Sequence, residues 1–385
     1  MQTANIVETC LVAQGHFDNF ADRFDIENLF FHDVRKVPGQ WDKMMHQPAE
    51  SIDDPAPRHT FALQQGVGEQ RMDEIIIIGS GMAGTTCARI LAGAGVAVRV
   101  LDKGRGIGGR MATRFVDTAA GGLTFDHGAQ YLRPRDPEFA EMLAQAGARP
   151  WPDGPDHGRQ VGMPDMSGVP RAQADGLTVT QQTEVTAIAW RNGIWHLSTR
   201  TGGVQASRVI LTIPAPQVTA LLGETHPFAA DLARVVMEAC LTLMAAFPLD
   251  SPRPFTSRLD ASHPLAWIAQ DSSKPGRPQT AVTWLAQASA AFSREQLEAS
   301  PDDIAARMLP LLAGVLDVNP ALAVYARAHR WRYAQASTPL GQPFLRSSDR
   351  TLYAGGDWCL GARAEDAWYS GRAIARDILD GADVD

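Results

Sequence analysis

Cysteine is scarce in this 385-residue sequence: Cys10, Cys87, Cys240 and Cys359 are scattered, with no CxxC pair and no metal-ligand spacing. That usage excludes a disulfide framework or a zinc site and fits a reducing cytoplasm. No run of Lys and Arg occurs, and the formal net charge is −8. A nucleic-acid or anionic-membrane surface is therefore not the expected partner, which leaves small molecules. The most apolar short stretch, Ile75–Ile78, is far below the roughly 20 residues a membrane-spanning helix needs, and it runs straight into glycines. The N-terminus has no basic n-region or apolar h-region and carries Glu8, so neither a signal peptide nor an acid-poor transit peptide is expected. Internal repeats and low-complexity blocks are also missing.

What is present is enough apolar sequence, 45% of residues, to bury a sizeable core or to build two lobes that share a cleft. Residues 1–71 mix Asp, His, Pro and Gln with clustered phenylalanines and read as an extension. It is either mobile or an extra helix packing Phe20 and Phe24 on the core, and Met72 stands as a possible alternative start. From residue 74 the text becomes strand, turn, helix, strand: 74–78, 79–84, 85–94 and 96–101, a βαβ unit. Strands are expected at 177–180, 184–190, 195–199 and 208–212, with Asn192-Gly193 as a hairpin turn, and the region reads as a β-meander. Helices are expected at 137–146, 215–222, 228–233, 301–316 and 364–379. Pro- and Gly-rich stretches at 149–170 and 248–254 are the expected crossings between lobes.

The first chemical motif is Gly79-Ser80-Gly81-Met82-Ala83-Gly84. Its glycines permit a tight turn, let backbone approach a pyrophosphate and let the helix pack closely on the sheet, with the helix N-terminus facing the phosphates. A lone GxGxxG is weak, but here a strand precedes it. Asp102, about twenty residues on, ends the next strand where an acid can hold an adenosine ribose hydroxyl. Directly behind Asp102 runs Lys103-Gly104-Arg105-Gly106-Ile107-Gly108-Gly109-Arg110, whose glycines and basic side chains suit an anion. Asp126 and His127 are adjacent on a strand and point to opposite faces, so no acid/base dyad is expected.

The Gly-Gly-Arg segment resembles the one that follows the first βαβ unit in the amine-oxidase and renalase superfamily of flavoproteins. Four later blocks, Phe125-Asp126-His127-Gly128-Ala129-Gln130-Tyr131, Trp267 to Arg277, His329-Arg330-Trp331-Arg332-Tyr333-Ala334 and Gly355-Gly356-Asp357-Trp358-Cys359, resemble bacterial renalase-like oxidoreductases. The resemblance spans about residues 72–379. It implies noncovalent FAD, with contacts from Gly79, Gly81, Met82, Ala83, Gly84, Asp102, Lys103, Arg105, Gly109, Arg110, Gln130, Tyr131, Val185, Gly356, Asp357, Glu365 and Ala367. Arg110 would fork onto the pyrophosphate, Gln130 would meet a flavin edge, Val185 would touch the adenine through backbone, and Asp357 would meet the ribityl region. Amides near residues 364–367, at a positive helix end, would stabilise charge on reduced flavin. For Tyr131, core packing is an equal alternative.

The expected fold is α/β: a discontinuous Rossmann-like FAD domain (residues 72–131, 168–225 and 345–385) and a smaller antiparallel-sheet substrate domain with helices (132–167 and 226–344). Trp267, Gln270, Trp284, Arg330 and Arg332 are candidates for the substrate cleft, although an ordinary strand with alternate residues packed is equally consistent with 329–333. The implied activity is oxidation of misreduced 2- or 6-dihydronicotinamide dinucleotides, with hydride passing to flavin N5 and dioxygen then giving hydrogen peroxide. An amine oxidase or desaturase on the same scaffold, or a non-catalytic flavin-binding redox sensor, are the alternatives. The sequence offers no nucleophile triad or metal site, and it leaves the oligomeric state open.

Overall fold

The computed structural model describes residues 74–118, 121–152 and 158–382, and the expectations for residues 1–73 lie outside them. In chain order the chain forms β1 (Ile75–Ile78), α1 (Met82–Gly93), β2 (Val98–Leu101), β3 (Arg114–Thr118), β4 (Gly121–Phe125), α2 (Pro137–Gln145), β5 (Arg149–Pro150), β6 (Gln160–Val161), α3 (Gly168–Ala174) and β7 (Thr178–Thr180). Then follow β8 (Val185–Arg191), β9 (Ile194–Thr199), β10 (Gly202–Ala206), β11 (Arg208–Leu211), α4 (Ala215–Leu222), α5 (Ala229–Leu232), β12 (Val236–Phe247), β13 (Ser257–Leu259), β14 (Leu265–Gln270) and β15 (Val282–Ala288). The last elements are α6 (Ala290–Glu295), α7 (Pro301–Leu316), β16 (Tyr325–Thr338), β17 (Leu345–Arg346), β18 (Leu352–Ala354) and α8 (Ala364–Ala382).

Strand β1 is four isoleucines, all buried, because both faces of its sheet are covered. It sits inside a six-stranded sheet of order β17-β18-β11-β1-β2-β7, parallel except for β17. Ile75 and Ile77 pack with Cys87 and Leu91 of α1 and Ile374 and Ile378 of α8. Ile76 and Ile78 pack on the other side with Trp195, Leu197 and Ala206 of the three-stranded sheet β10-β9-β8. The result is helices, parallel sheet and meander in three layers. Asn192 and Gly193, both with positive φ (53° and 78°), make the β8–β9 turn.

The expected meander needs one correction. Strands β7 and β11 pair in parallel with β2 and β1 and belong to the central sheet, while β10 takes the third place in the meander. Strand β18, some 250 residues after β2, returns to pair with β11, so the parallel sheet is discontinuous in sequence. A separate antiparallel sheet, order β13-β14-β15-β12-β16, carries the long strands β12 and β16. One of its faces packs on α7 through Leu241, Leu243, Trp284, Ile268, Met308 and Leu312.

Candidate active site

The parallel strands β1, β2 and β18 run out at their C-terminal ends into Gly79, Asp102 and Gly355, the edge where open α/β sheets take ligands. Helix α1 begins there with Gly81 at its N-cap (φ −75°), no side-chain cap and no acidic residue in its first turn. Its first turn therefore brings no acidic side chain of its own to compete for the positive end. A Cβ built on Gly81 would meet nothing nearer than Gly109 Cα at 3.9 Å, whereas one on Gly84 would lie 1.9 Å from the Gly79 carbonyl oxygen. Gly81 thus leaves an open cradle above Met82 and Ala83, and Gly84 lets the helix touch the strand end. Gly79 itself holds φ +111°.

Asp102 accepts from the Ser80 hydroxyl (2.7 Å), the Ser80 amide and the Gly104 amide (2.6 Å). Three donors leave it about one lone-pair site for a ribose hydroxyl. The Thr183 amide donates to the Asp102 carbonyl, which brings the buried Val185 beside this loop. Lys103 is half-buried on the same loop and Arg105 is exposed. In the following turn Gly109 adopts φ +50°. Arg110 forms a two-pronged ion pair with Asp357 and donates to the Ala334 carbonyl (3.3 Å). The two residues expected to meet different parts of the cofactor are thus each other's partner.

Gly356 donates to the Ser370 hydroxyl (2.9 Å), and Gly371 lets α8 lie directly on α1: a Cβ there would fall 2.2 Å from the Ala83 carbonyl. Ala367 packs in one cluster with Met82 and Tyr131. The Glu365 side chain is engaged within the protein. Its carboxylate accepts from the Arg135 and Asp136 amides (both 2.8 Å) and pairs with Arg363 at 3.8 Å, so it clamps the 135–136 loop and leaves only backbone amides of this turn for a ligand. Taken together, an uncapped helix end, an open cradle at Gly81, an anchored acid at Asp102 and a Gly-rich basic turn fit a dinucleotide cofactor.

Gln130 is fully buried, donates to the Asp126 and Gly128 carbonyls, and accepts from Lys274 Nζ at 3.4 Å. Lys274 belongs to a buried four-charge cluster that sequence reasoning missed. Its ammonium lies 2.6 Å from Asp271 and 3.3 Å from Asp126, and Arg277 pairs with Asp126. Burial would push the Asp126 carboxyl up, but Arg277 and Lys274 outweigh it and hold it well below the usual carboxylate range. Asp271 goes the other way, pushed up by burial. All four residues lie inside blocks singled out from sequence, but single-sequence patterning gives no sign that Asp126 meets residues about 150 positions later.

The antiparallel sheet separates the remaining candidates. Register places Trp267 opposite Gln287, Gln287 opposite Thr242, and Thr242 opposite His329, one row across β14, β15, β12 and β16. Segment 127–131 crosses this row: His127 meets the His329 ring edge-on at 5.0 Å, the Gly128 carbonyl accepts from Gln287 (3.0 Å), and Tyr131 lies 5.7 Å from Trp267. Trp331 is on the same face, donating to the His127 carbonyl (2.9 Å). Trp284 and Gln270 pair with each other one position out of phase, and Trp284 points into the α7 core. Arg330 donates to the Ala299 carbonyl, and Arg332 pairs with Glu298 (2.7 Å) just before α7. These four expected cleft residues are therefore corrected, because strand alternation turns them to the opposite face from Trp267.

A family model for a flavin-containing amine oxidoreductase matches residues 155–379, more than half of the chain, and one for an NAD(P)-binding Rossmann-like domain matches 77–146. The chain belongs to the flavin-containing amine oxidoreductase family. It is accordingly an FAD-dependent oxidoreductase, with the Rossmann-like half described above. Among solved structures it is similar to cyclohexylamine oxidase from Brevibacterium oxydans IH-35A (TM-score 0.64, 13% identity, 81% of this chain and all of that one). It is also similar to putrescine oxidase bound to putrescine (0.63, 14%, 80% and 99%). A third neighbour is an Exiguobacterium sp. 255-15 protein provisionally named protoporphyrinogen oxidase (0.62, 12%, 80% and 99%). At these identities the neighbours establish the fold and not the substrate. No helix among the described residues is long and apolar enough to cross a membrane.

Proposed function

We propose that this family member is a renalase-like oxidase that takes misreduced 2- or 6-dihydronicotinamide dinucleotides back to NAD(P)+, with dioxygen as the electron acceptor. The carrying observation is the Arg159 guanidinium, 4.4 Å from the Tyr131 ring centroid and 5.2 Å from that of Trp267, with Arg133 at 5.8 Å from Tyr131. Aromatic faces that would otherwise attract a substrate ammonium already carry cations. The same arrangement suits a planar ring joined to phosphates, which Arg binds by paired hydrogen bonds. Bound FAD would supply a two-electron acceptor that takes hydride and passes electrons on to dioxygen.

The chain's own residues would hold the dinucleotide cofactor through Gly79–Gly84, Asp102, Lys103, Arg105, Gly109, Arg110, Gln130, Val185, Gly356 and Asp357, and would orient the substrate through Tyr131 and Trp267. No protein base is needed for hydride departure from a dihydropyridine, so positioning carries the rate. Attachment of FAD would be noncovalent: Cys359 is buried, and burial pushes its thiol up, away from a nucleophilic thiolate. Residues 72–131, 168–225 and 345–385 would serve the cofactor, and 132–167 and 226–344 the substrate.

Amine oxidation is the second reading, favoured by the family itself and by the Tyr131–Trp151–Trp267 aromatic cluster. Arg159→Met separates the two by hydrogen peroxide release. A loss of kcat/KM for the dihydro-dinucleotides in the variant, with amines such as putrescine not turned over by the wild type, supports the proposal. Turnover of such amines by the wild type, or unchanged kcat/KM for the dihydro-dinucleotides in the variant, overturns it.

A further inference from the structure

The row across the antiparallel sheet contains an unusual run of unsatisfied polar atoms. Trp267 Nε1 and Gln287 Oε1 lack a hydrogen-bond partner and Thr242 Oγ1 has only the weak Cys240 thiol beside it, although Trp267, Gln287 and Thr242 are 2%, 0% and 0% exposed. They stand directly opposite one another on neighbouring strands, where Cβ atoms are about 4.5–5.5 Å apart. His127 adds two ring nitrogens without partners in hydrogen-bond geometry above the other end of the row. Leaving a buried polar atom unpaired costs about 1–3 kcal/mol, so several in one row are a feature to be explained. The Gln287 amide is oriented by its bond to the Gly128 carbonyl, which fixes Oε1 as the unpaired acceptor.

We propose that Trp267, Gln287 and Thr242 form a subsite for an uncharged carboxamide on a planar ring, the nicotinamide end of the substrate; this rests on the dihydronicotinamide reading above. The chemistry of the row is donor, acceptor, and a hydroxyl that does either. A primary carboxamide is its complement: the C=O accepts from the Trp267 indole N–H or the Thr242 hydroxyl, and the NH2 donates to Gln287 Oε1. A carboxylate would press a negative acceptor against Gln287 Oε1. An ammonium would find no free countercharge, because the nearby Asp126 is held by Arg277 and Lys274. The subsite therefore discriminates by charge, and it would keep out both the acid and the amine of the same ring.

The test is binding to the oxidised holoenzyme, read from the perturbation of the flavin absorption band and from tryptophan fluorescence, with nicotinamide, nicotinic acid and 3-picolylamine as probes. Nicotinamide should bind at least about tenfold more tightly than the other two, and Thr242→Val, which keeps the side-chain shape, should weaken it roughly two- to twelvefold, the worth of one neutral hydrogen bond. Gln287→Met should weaken it similarly, and Thr242→Val guards against the case in which Gln287→Met also disturbs Gly128. Equal binding of amide and acid, no binding of nicotinamide at all, or unchanged affinity in Thr242→Val each overturns the subsite. Selective amide binding without flavin reduction by the dihydro isomers would leave the subsite standing and remove the proposed activity. Reduction by the isomers with no amide selectivity would do the reverse.

Discussion

Gly81 and Gly84 occupy the same six-residue turn but should fail in opposite ways when each is replaced by alanine. At Gly81 the backbone is in an ordinary extended conformation (φ −75°, ψ −176°), and the new methyl group would have nothing within 3.9 Å. The folded chain should lose only the difference between glycine and alanine at an N-cap, about 0.5–1 kcal/mol, so the melting temperature of the cofactor-free protein should fall by no more than about 4 °C. The methyl projects into the cradle assigned to the pyrophosphate, where overpacking costs about 1–3 kcal/mol, a rise in the FAD dissociation constant of roughly five- to 150-fold. At Gly84 the methyl would sit 1.9 Å from the Gly79 carbonyl oxygen, which is backbone and cannot swing away. Gly84→Ala should therefore cost about 3 kcal/mol or more in stability before any cofactor is added. The assay is FAD titration by fluorescence quenching, paired with thermal melts of both variants stripped of cofactor. A Gly81→Ala protein that binds FAD like the wild type would refute the placement of the pyrophosphate at the start of α1.

Three further outcomes follow from the site. Trp284→Ala should lose about 3–5 kcal/mol in denaturant unfolding, while Trp284→Phe and Arg332→Ala should leave KM unchanged, Arg332 being an exposed ion pair worth about 0.2–1 kcal/mol. Lys274→Met leaves the buried Asp271 without its close cation, while Asp126 keeps Arg277, and should destabilise by about 3–5 kcal/mol, again seen by equilibrium unfolding. Burial, with His329 and Arg114 adding to it, holds the His127 imidazole well below its ordinary 6.5, so the unfolded chain gains a proton below that pH that the folded chain refuses. Stability from this group is present above pH 6.5 and is lost as pH falls toward the folded value, by up to about 1.36 kcal/mol per pH unit. His127→Asn should flatten the acid limb of a stability-versus-pH curve by that slope, and an unchanged limb would count against a neutral buried His127.

The cofactor half was legible from sequence because its signals are local. A β-branched run, a glycine turn and an acid at the end of the next strand fall within thirty residues, and each has one physical reason to be where it is. The proposed substrate face was not legible for a comparably simple reason. Strand β12 reads as a nearly unbroken apolar run, buried from Ala239 to Phe247, so period-two alternation, which would have put Thr242 on one face and Leu241 on the other, is hidden. The same blindness to phase selected Arg330 and Arg332 from a block in which His329 and Trp331 face the site. Trp267 and Trp284 stand out in the sequence on the same grounds yet take opposite faces of the sheet, since a tryptophan's type says nothing about the side it takes. In the sequence Asp126 stands out only beside its neighbour His127. Its real partners, Lys274 and Arg277, come from a different block, and only tertiary pairing brings them together.

The most direct measurement is anaerobic rapid mixing of the oxidised FAD-bound protein with 2-dihydro-, 6-dihydro- and ordinary 4-dihydronicotinamide dinucleotides, and with putrescine and cyclohexylamine, while the flavin absorption is followed. Fast bleaching by a 2- or 6-dihydro isomer, with the 4-dihydro form slow and both amines silent, is the result predicted here. Bleaching by an amine alone, or by none of these donors, would contradict it.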